Sequence, residues 1–516
     1  MSWKFWKRIL LIMLGAWIIL GVLVIGLLLV ERVRGKISLA HYKRELNAAG
    51  IRLSPAEFLP KPAPNEDNSA PELWTVFDQL PKDTITTTNT PPKMRLLPSG
   101  RAVVCFREDF WADDQNTNRW NEVADELVNN QEKLKQIQAL LQKPLLRNRL
   151  DYEAGPKMLF PHLIKAKKLT YWFGTSSQLA LHEGRKQDAL EALLTQLRIP
   201  RSLAEDRILI SELVRVAIAA IARNDTWATL QANNWTDKEL KQIQEAWEQL
   251  EFATAMTRAL EGEIVFAETT FVIMRKSNEE TASFMFGLEE FLAKDESEQM
   301  AWKKIVAAIP GGDEVIKFLK HQVYTRIWRF AWLDQDEEYY LRFLRELLES
   351  ARRAAKAQSM PELNHDTEKL ALRLVDRNFY GRLRFPSADS ASSVIRAMAR
   401  AMRQETERSL CISAVAIKRY QTQQGRLPET LESLLPDLLS SVPMDYMDGK
   451  PMKYRLNSDG QFLLYSAGED GQDDNGSLAL RPGKSSERNP WDRKDFVWPT
   501  PATQQELDDY HRKGNH

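Results

Sequence analysis

Ala416-Ile-Lys-Arg-Tyr-Gln-Thr-Gln-Gln-Gly-Arg-Leu-Pro-Glu-Thr-Leu-Glu-Ser-Leu-Leu-Pro436, then Val442-Pro-Met-Asp-Tyr-Met-Asp-Gly-Lys-Pro-Met-Lys-Tyr454, then Phe462-Leu-Leu-Tyr-Ser-Ala-Gly-Glu-Asp-Gly-Gln-Asp-Asp-Asn-Gly476: these three runs decide how the chain closes. Ala401–Gln424 has a helical pattern, with Cys411, Val415 and Tyr420 among its apolar positions. Gly425 ends that helix, and Leu427-Pro428 turns the chain into a short second helix over Thr430–Leu435. Pro436 and Pro443 bracket a further segment, and Asp448-Gly449 then makes a turn between extended pieces. Met452–Leu456 and Gln461–Tyr465 alternate as two strands joined across Asn457-Ser458-Asp459-Gly460. An acidic loop, Ala467–Gly476, follows. Its carboxylates, Asp470, Asp473 and Asp474 foremost, fit an oxygen cage for calcium and equally fit a solvated turn, because the spacing fails the EF-hand template.

At the other end, Ile9–Val30 is an uncharged apolar run of 22 residues. As a helix it spans about 33 Å, enough for a bilayer core. Trp3, Phe5 and Trp6 stand beside Lys4, Lys7 and Arg8 at its start, the mixture expected at a membrane interface. The run is too long for the apolar region of a signal peptide, and no small-x-small cleavage site precedes Glu31-Arg32-Val33-Arg34. It reads as an uncleaved single-pass anchor, with the membrane as a partner through residues 9–30. The short basic tail favours a cytoplasmic N-terminus and an exported bulk.

Between these ends the chain reads as helical. Its 516 residues exceed one core, and the balance of 71 basic against 71 acidic residues indicates no nucleic-acid partner. Cys105 and Cys411 form no metal or redox motif and read as separate buried thiols. Residues 51–120 are proline-rich, Thr84–Pro92 most of all, yet carry Trp74, Phe77, Phe106, Phe110 and Trp111, so they wrap over the body. Helices are expected over 158–182, 186–199, 203–223, 237–275, 284–293 and 335–357, with breaks that include Pro310-Gly311-Gly312 and an N-cap at Thr236 boxed by Glu239. Leu179–Leu190 places small and apolar residues around Gly184 as in a tetratricopeptide hairpin, without a second copy at repeat spacing.

No reaction-specific motif emerges. The seven histidines are scattered, and no HExxH, GxSxG or phosphate-binding loop occurs. Glu261 and Glu263, two apart on a helix, point different ways and read as solvated charges. The acidic set Asp334, Asp336, Glu337 and Glu338 reads as helix-start charge balanced by Arg342 and Arg345. Tyr324, Trp328, Phe330, Trp332, Tyr339 and Tyr340 read as core.

The order helix–GxxP–LxxL, then PxDxxxGxPxxY, then a strand and YSxGxDGxDDxG resembles the headpiece of major, G-type pseudopilins of type II secretion systems. The resemblance covers residues 411–478 and rests on Gly425, Pro428, Leu431, Leu434, Pro436, Pro443, Asp445, Gly449, Pro451, Tyr454, Tyr465, Ser466, Gly468, Asp470, Gly471, Asp473 and Asp474. It implies calcium in the final loop. Tyr446 stands where that family has Pro, no acidic residue lies within Ile9–Val30, and several hundred residues separate anchor from module. A processed, polymerising pseudopilin is therefore not implied; the layout resembles large bacterial membrane-anchored proteins that carry this headpiece at their end.

The expectation is a mainly α chain: tail and transmembrane anchor (1–36), a Pro-rich irregular segment packing on the body (37–120), an irregular helical domain with the tetratricopeptide-like hairpin (121–399), a small α+β pseudopilin-like module (400–480) and an extended strap and tail (481–516). It would act as a single-pass scaffold or protein-interaction protein of the bacterial inner membrane, its bulk periplasmic, linked to a secretion or pilus-like system. The alternative is an envelope hydrolase using carboxylates such as Glu261, Glu263 and Asp334.

Overall fold

Helix α1 (Trp3–Ala48) runs 46 residues without a break in the computed structural model, about 70 Å of helix. The structure describes residues 3–60, 67–82, 84, 86, 95–97, 99–112, 117–292, 314–315, 318–375, 377–457, 460–486 and 489–512. Among them, α1 is the one helix long and apolar enough to cross a membrane. Leu10 to Val30 stand exposed apart from partial cover at Gly15 and Leu28. Beyond residue 30 one face turns inward: Gly35, Leu39, Tyr42 and Leu46 are buried at helical spacing. Burying Leu39, Tyr42 and Leu46 contributes roughly 2 kcal/mol each.

That face packs on α12 (Leu333–Ala357). The two helices run parallel, since Gly35 meets Gln335 and the Arg342 guanidinium lies 3.9 Å over the Tyr42 ring. A Cβ at Gly35 would come within 2.7 Å of Gln335 Cγ, so only glycine lets the backbones approach this closely. Gln335 Nε2 donates to the carbonyl and the carboxylate of Glu31 at 2.7 and 2.8 Å. One turn beyond Leu39, Lys43 lies between Glu268, at 2.6 Å, and the fully buried Glu337.

The rest of the body follows from the same pairing. Helix α9 (Ala253–Lys276) lies antiparallel to α12, with Arg275 on Asp334 and Glu337 at one end and Arg352 on Glu261 at the other. The longest body helix, α15 (Ala388–Gln424), runs alongside α12. Ser387 Oγ donates to Asp336 at 2.6 Å near the start of both. Farther along, Tyr446 bridges them, its N–H donating to Thr406 and its hydroxyl accepting from Gln358. Over its 37 residues α15 therefore carries the chain about 55 Å away from the exposed end of α1.

Helices α5 (Pro161–His182) and α6 (Lys186–Arg198) form a helix–turn–helix at Gly184, whose φ of 73° suits the reversal, with Ala180 and Ala189 buried between them. Thr236 caps α8 (Asp237–Glu248) through the expected box with Glu239. The helix expected over 237–275 is two helices, α8 and α9. Glu405 of α15 accepts the Phe252 and Ala253 N–H groups at 2.6 and 3.1 Å and so caps α9 from outside. The helix expected at 203–223 begins at Leu209 instead, as α7 (Leu209–Leu230). Pro200 opens a 3₁₀ stretch, Ile199–Asp206, and Arg207 then adopts the left-handed region.

Within the Pro-rich segment, Leu73, Val76, Cys105 and Trp111 share a core with Leu169 and Trp172 of α5, and the segment contains α2 (Ala70–Phe77) and the hairpin β1 (Phe110–Ala112)–β2 (Thr117–Arg119). Thr84–Pro92, save Thr84 and Thr86, and Pro310-Gly311-Gly312 lie outside the described residues. At the C-terminus β3 (Met444–Asp445) pairs with β4 (Lys450–Pro451). β5 (Lys453–Leu456), β6 (Phe462–Ser466) and β7 (Phe496–Val497) form an antiparallel sheet. The closing strap is thus not wholly extended: it supplies β7 and ends in helix α16 (Gln504–Arg512), which packs against Leu97 and Val103. One hydrophobic core runs from Leu39 of α1 through α15 to Leu464 and Trp498. Cys411 is in that core and Cys105 in a second one around Trp111 and Trp172, with no disulfide joining them.

Replacing Lys43 with Met leaves Glu268 and Glu337 together with only Arg275 to offset them. The Lys43→Met chain in detergent is expected to lose about 3 kcal/mol of stability, read from its thermal unfolding. Unchanged stability would show that this ammonium does not hold α1 to the body.

Candidate functional site

The C-terminal module is organised by Asp445. Its carboxylate is fully buried and accepts from Ser466 Oγ and the Ala467 N–H at 2.8 Å each, and from the Met447 N–H at 3.1 Å. Lys453 Nζ lies 2.7 Å from the same carboxylate and 2.6 Å from Asp448. Three chain segments are tied to one charged group, the condition under which a buried carboxylate is stable. Other positions of the sequence pattern have equally local work. Gly425 caps α15 with φ 69°, Tyr454 Oη donates to the Pro428 carbonyl at 2.7 Å, and a Cβ on Gly468 would strike the Lys494 carbonyl at 2.1 Å. At position 446, tyrosine supplies the N–H that bonds Thr406, which proline lacks.

The acidic loop lies on the outside of this hub. Asp470 Oδ1 accepts the Gln472 N–H, and Asp473 Oδ1 accepts both the Asn475 N–H and the Tyr465 hydroxyl, the latter at 3.0 Å. Asp474 pairs with Lys494 Nζ at 2.8 Å, and Glu469 pairs with Arg403 and Arg481. Among the described residues no three His, Cys, Asp or Glu side chains are grouped to hold a metal ion. The field of Asp470, Asp474 and Asp495 converges on the Lys494 ammonium, whose pKa is raised first by its bond to Asp474. Asp495, buried beneath the loop, accepts the Ser477 and Asp474 N–H groups at 2.7 and 3.3 Å, and burial raises its pKa. Lys494 and Asp495 were not singled out from sequence. Their signal is the basic pair Arg493-Lys494 flanked by Asp492 and Asp495 between Trp491 and Phe496.

In the helical body, the carboxylates considered for hydrolysis do not meet. Glu261 pairs with Arg352 and Asp334 with Arg275, at opposite ends of the α9–α12 contact, about 27 Å apart along α12. Glu263 lies near Tyr340 and makes no hydrogen bond or ion pair with the described residues; burial pushes its carboxyl up to about 7. Asp336 and Glu337, expected as helix-start charges balanced by Arg342 and Arg345, are buried instead. Burial pushes Asp336 up to about 8 against the bonds from Ser387, and Glu337 is raised by burial and by Glu268. A further buried acid, Asp225, accepts from Gln178 and Gln196 at 3.1 and 2.6 Å and approaches the Cα of Gly174, where a Cβ would sit 2.6 Å away. A small open depression between α6 and α8 is lined by Arg198, Arg201 and Glu245; neither arginine is in an ion pair among the described residues, and burial lowers the Arg198 pKa.

Comparison with family models, with curated proteins and with solved structures finds no match to this chain.

Glu263 and Asp336 set a direction for pH dependence. Their folded pKa values lie above the ordinary 4.5 and 3.8, so the folded state holds protons the unfolded state has released. Stability is therefore greatest below about pH 4 for these groups and declines as pH rises through about 7 and 8. The Glu263→Gln chain is expected to show a shallower fall in melting temperature between pH 5 and 8 than the unaltered chain. Superimposable pH profiles would show that this carboxyl titrates as it does in water.

Proposed function

We propose that this protein is a single-pass, membrane-anchored scaffold of the bacterial cell envelope, with its bulk on the extracytoplasmic side of the inner membrane. Its C-terminal α+β module, read as a pseudopilin-like headpiece on an unprocessed chain, would meet protein partners of a secretion or pilus-like system. The observation that carries this reading is the continuity of α1. One helix leaves an exposed apolar stretch at Val30 and enters the core by Leu39, with no flexible joint between. A removed signal sequence would take part of a helix whose remainder is packed on α12, whereas a retained anchor uses the whole of it. Such a rigid stalk, with α15 alongside α12, holds the headpiece tens of ångströms from the bilayer, where partners assemble.

The helix–turn–helix at Gly184, read as tetratricopeptide-like, adds a second contact face. Arg198 and Arg201 in the adjoining depression offer two guanidinium groups to an acidic segment of a partner.

The protein is expected to resist alkaline carbonate extraction from membranes and to be digested by protease added to spheroplasts. Release by carbonate would end the anchor reading, and protection until lysis would reverse the orientation.

Calcium belongs to this reading as a replacement for Lys494: an ion bound by Asp470, Asp473 and Asp474 would supply the positive charge that the ammonium now brings. Millimolar calcium is then expected to raise the melting temperature, and Asp473→Ala combined with Asp474→Ala to remove the increase. No calcium-dependent shift in the unaltered chain would end the calcium reading alone.

A further inference from the structure

We propose that the end of the body built from α11 (Thr325–Ala331) and α14 (Phe379–Arg384) is a second membrane-binding surface, resting on the anionic headgroups of the same bilayer that α1 crosses. The inference rests on the anchor reading of α1.

Three observations carry it. The first is level. α11 and α14 meet α1 where its uncharged run stops: Leu28 packs on the core, the Arg32 guanidinium lies 4.5 Å over the Phe330 ring, and Arg384 pairs with Glu31 at 3.3 Å. These contacts fall within about one helical turn of Val30, and hence within the headgroup layer, which is about 6 Å deep on each side of the hydrocarbon.

The second is exposure on a held frame. Phe379 is 78% exposed, Tyr380 42% and Phe330 40%. Yet α14 is fixed from beneath, as Tyr324 Oη donates to the Leu383 carbonyl at 2.8 Å and Trp328 Nε1 to the Arg384 carbonyl at 3.2 Å. The sequence reading placed Phe330 in the core with its aromatic neighbours; the fold turns it outward while burying Trp328 and Tyr340. Apolar rings displayed on a rigid support beside an apolar span match the aromatic belt of membrane proteins.

The third is charge. Arg326 and Arg382 on the same two helices are exposed and have no ion pair among the described residues, and they add to Arg34 and Lys36 just past the span. Unpaired basic groups among aromatic rings suit anionic lipid rather than an acid-neutralised protein interface. With α1 and this surface both engaged, the body could not swivel about its anchor, and the headpiece would stand at a set height.

The test uses the full chain reconstituted in vesicles containing phosphatidylglycerol, with a fluorophore on Phe379→Cys or on Gln423→Cys. The second position lies near the far end of α15 and serves as the reference. The native cysteines are buried. Lipids brominated just below the headgroups are expected to quench the probe at 379 at least twofold more than that at 423. If the protein floats with the vesicles but both probes are quenched alike and iodide in the water reaches both, the anchor stands and the docking surface is overturned. Shielding from iodide without lipid quenching also overturns it, in favour of a protein contact or a second copy. A chain that does not float removes the anchor reading and this one together.

Discussion

The Lys43 ammonium, wedged between Glu268 of α9 and Glu337 of α12, is the interaction on which the architecture turns. It sits where three helices meet, on the face of α1 that Gly35 has brought within backbone distance of α12. A buried carboxylate without a cation costs several kcal/mol, so α1 cannot be withdrawn without penalising two other helices. Arg275 shares Glu337 and adds Asp334, which extends the network to the start of α12. Because α1 and α12 are parallel and α15 runs beside α12, the direction of the apolar stretch sets the direction of the whole body.

Beside the middle of α15, where Tyr446 meets Thr406, the logic is repeated with mostly neutral donors. Asp445 is held by two backbone N–H groups, the Ser466 and Thr406 hydroxyls and one lysine, and Asp495 by backbone N–H groups under the acidic loop. Two side-chain cations complete the module's acidic groups: Lys453 on Asp445 and Asp448, and Lys494 on Asp474. The module does not close on itself: Trp227 Nε1 donates to the Pro499 carbonyl and Gln244 Nε2 to the Leu438 carbonyl, both at 2.8 Å, so it shares the core of the helices.

How far these features were legible depends on the distance between the residues that create them. Thr236 and Glu239 lie three apart and make the cap their spacing predicts, and Gly184 and Gly425 end helices where their position in sequence says they should. The break at 249–252 contains no proline or glycine; it exists because Glu405, some 150 residues later, takes the first N–H groups of α9. In the same way Asp336 and Glu337 look like helix-start charges until Ser387, Lys43 and Arg275 are placed on them. In the acidic loop the carboxylates were legible, but their partner Lys494 stands twenty residues away in a strap with no recognisable period.

By itself the sequence determined the apolar stretch, the predominance of helix, the turns at glycine and proline, and the paired strands of the C-terminal module, because each rests on periodicity or on the φ preference of one residue. Only the tertiary structure decided which carboxylates lie inside, which cations answer them, where a long helix is cut, and which aromatic residues face outward beside the apolar span. Those outcomes are settled by desolvation and by partners distant in sequence, and no local pattern records them.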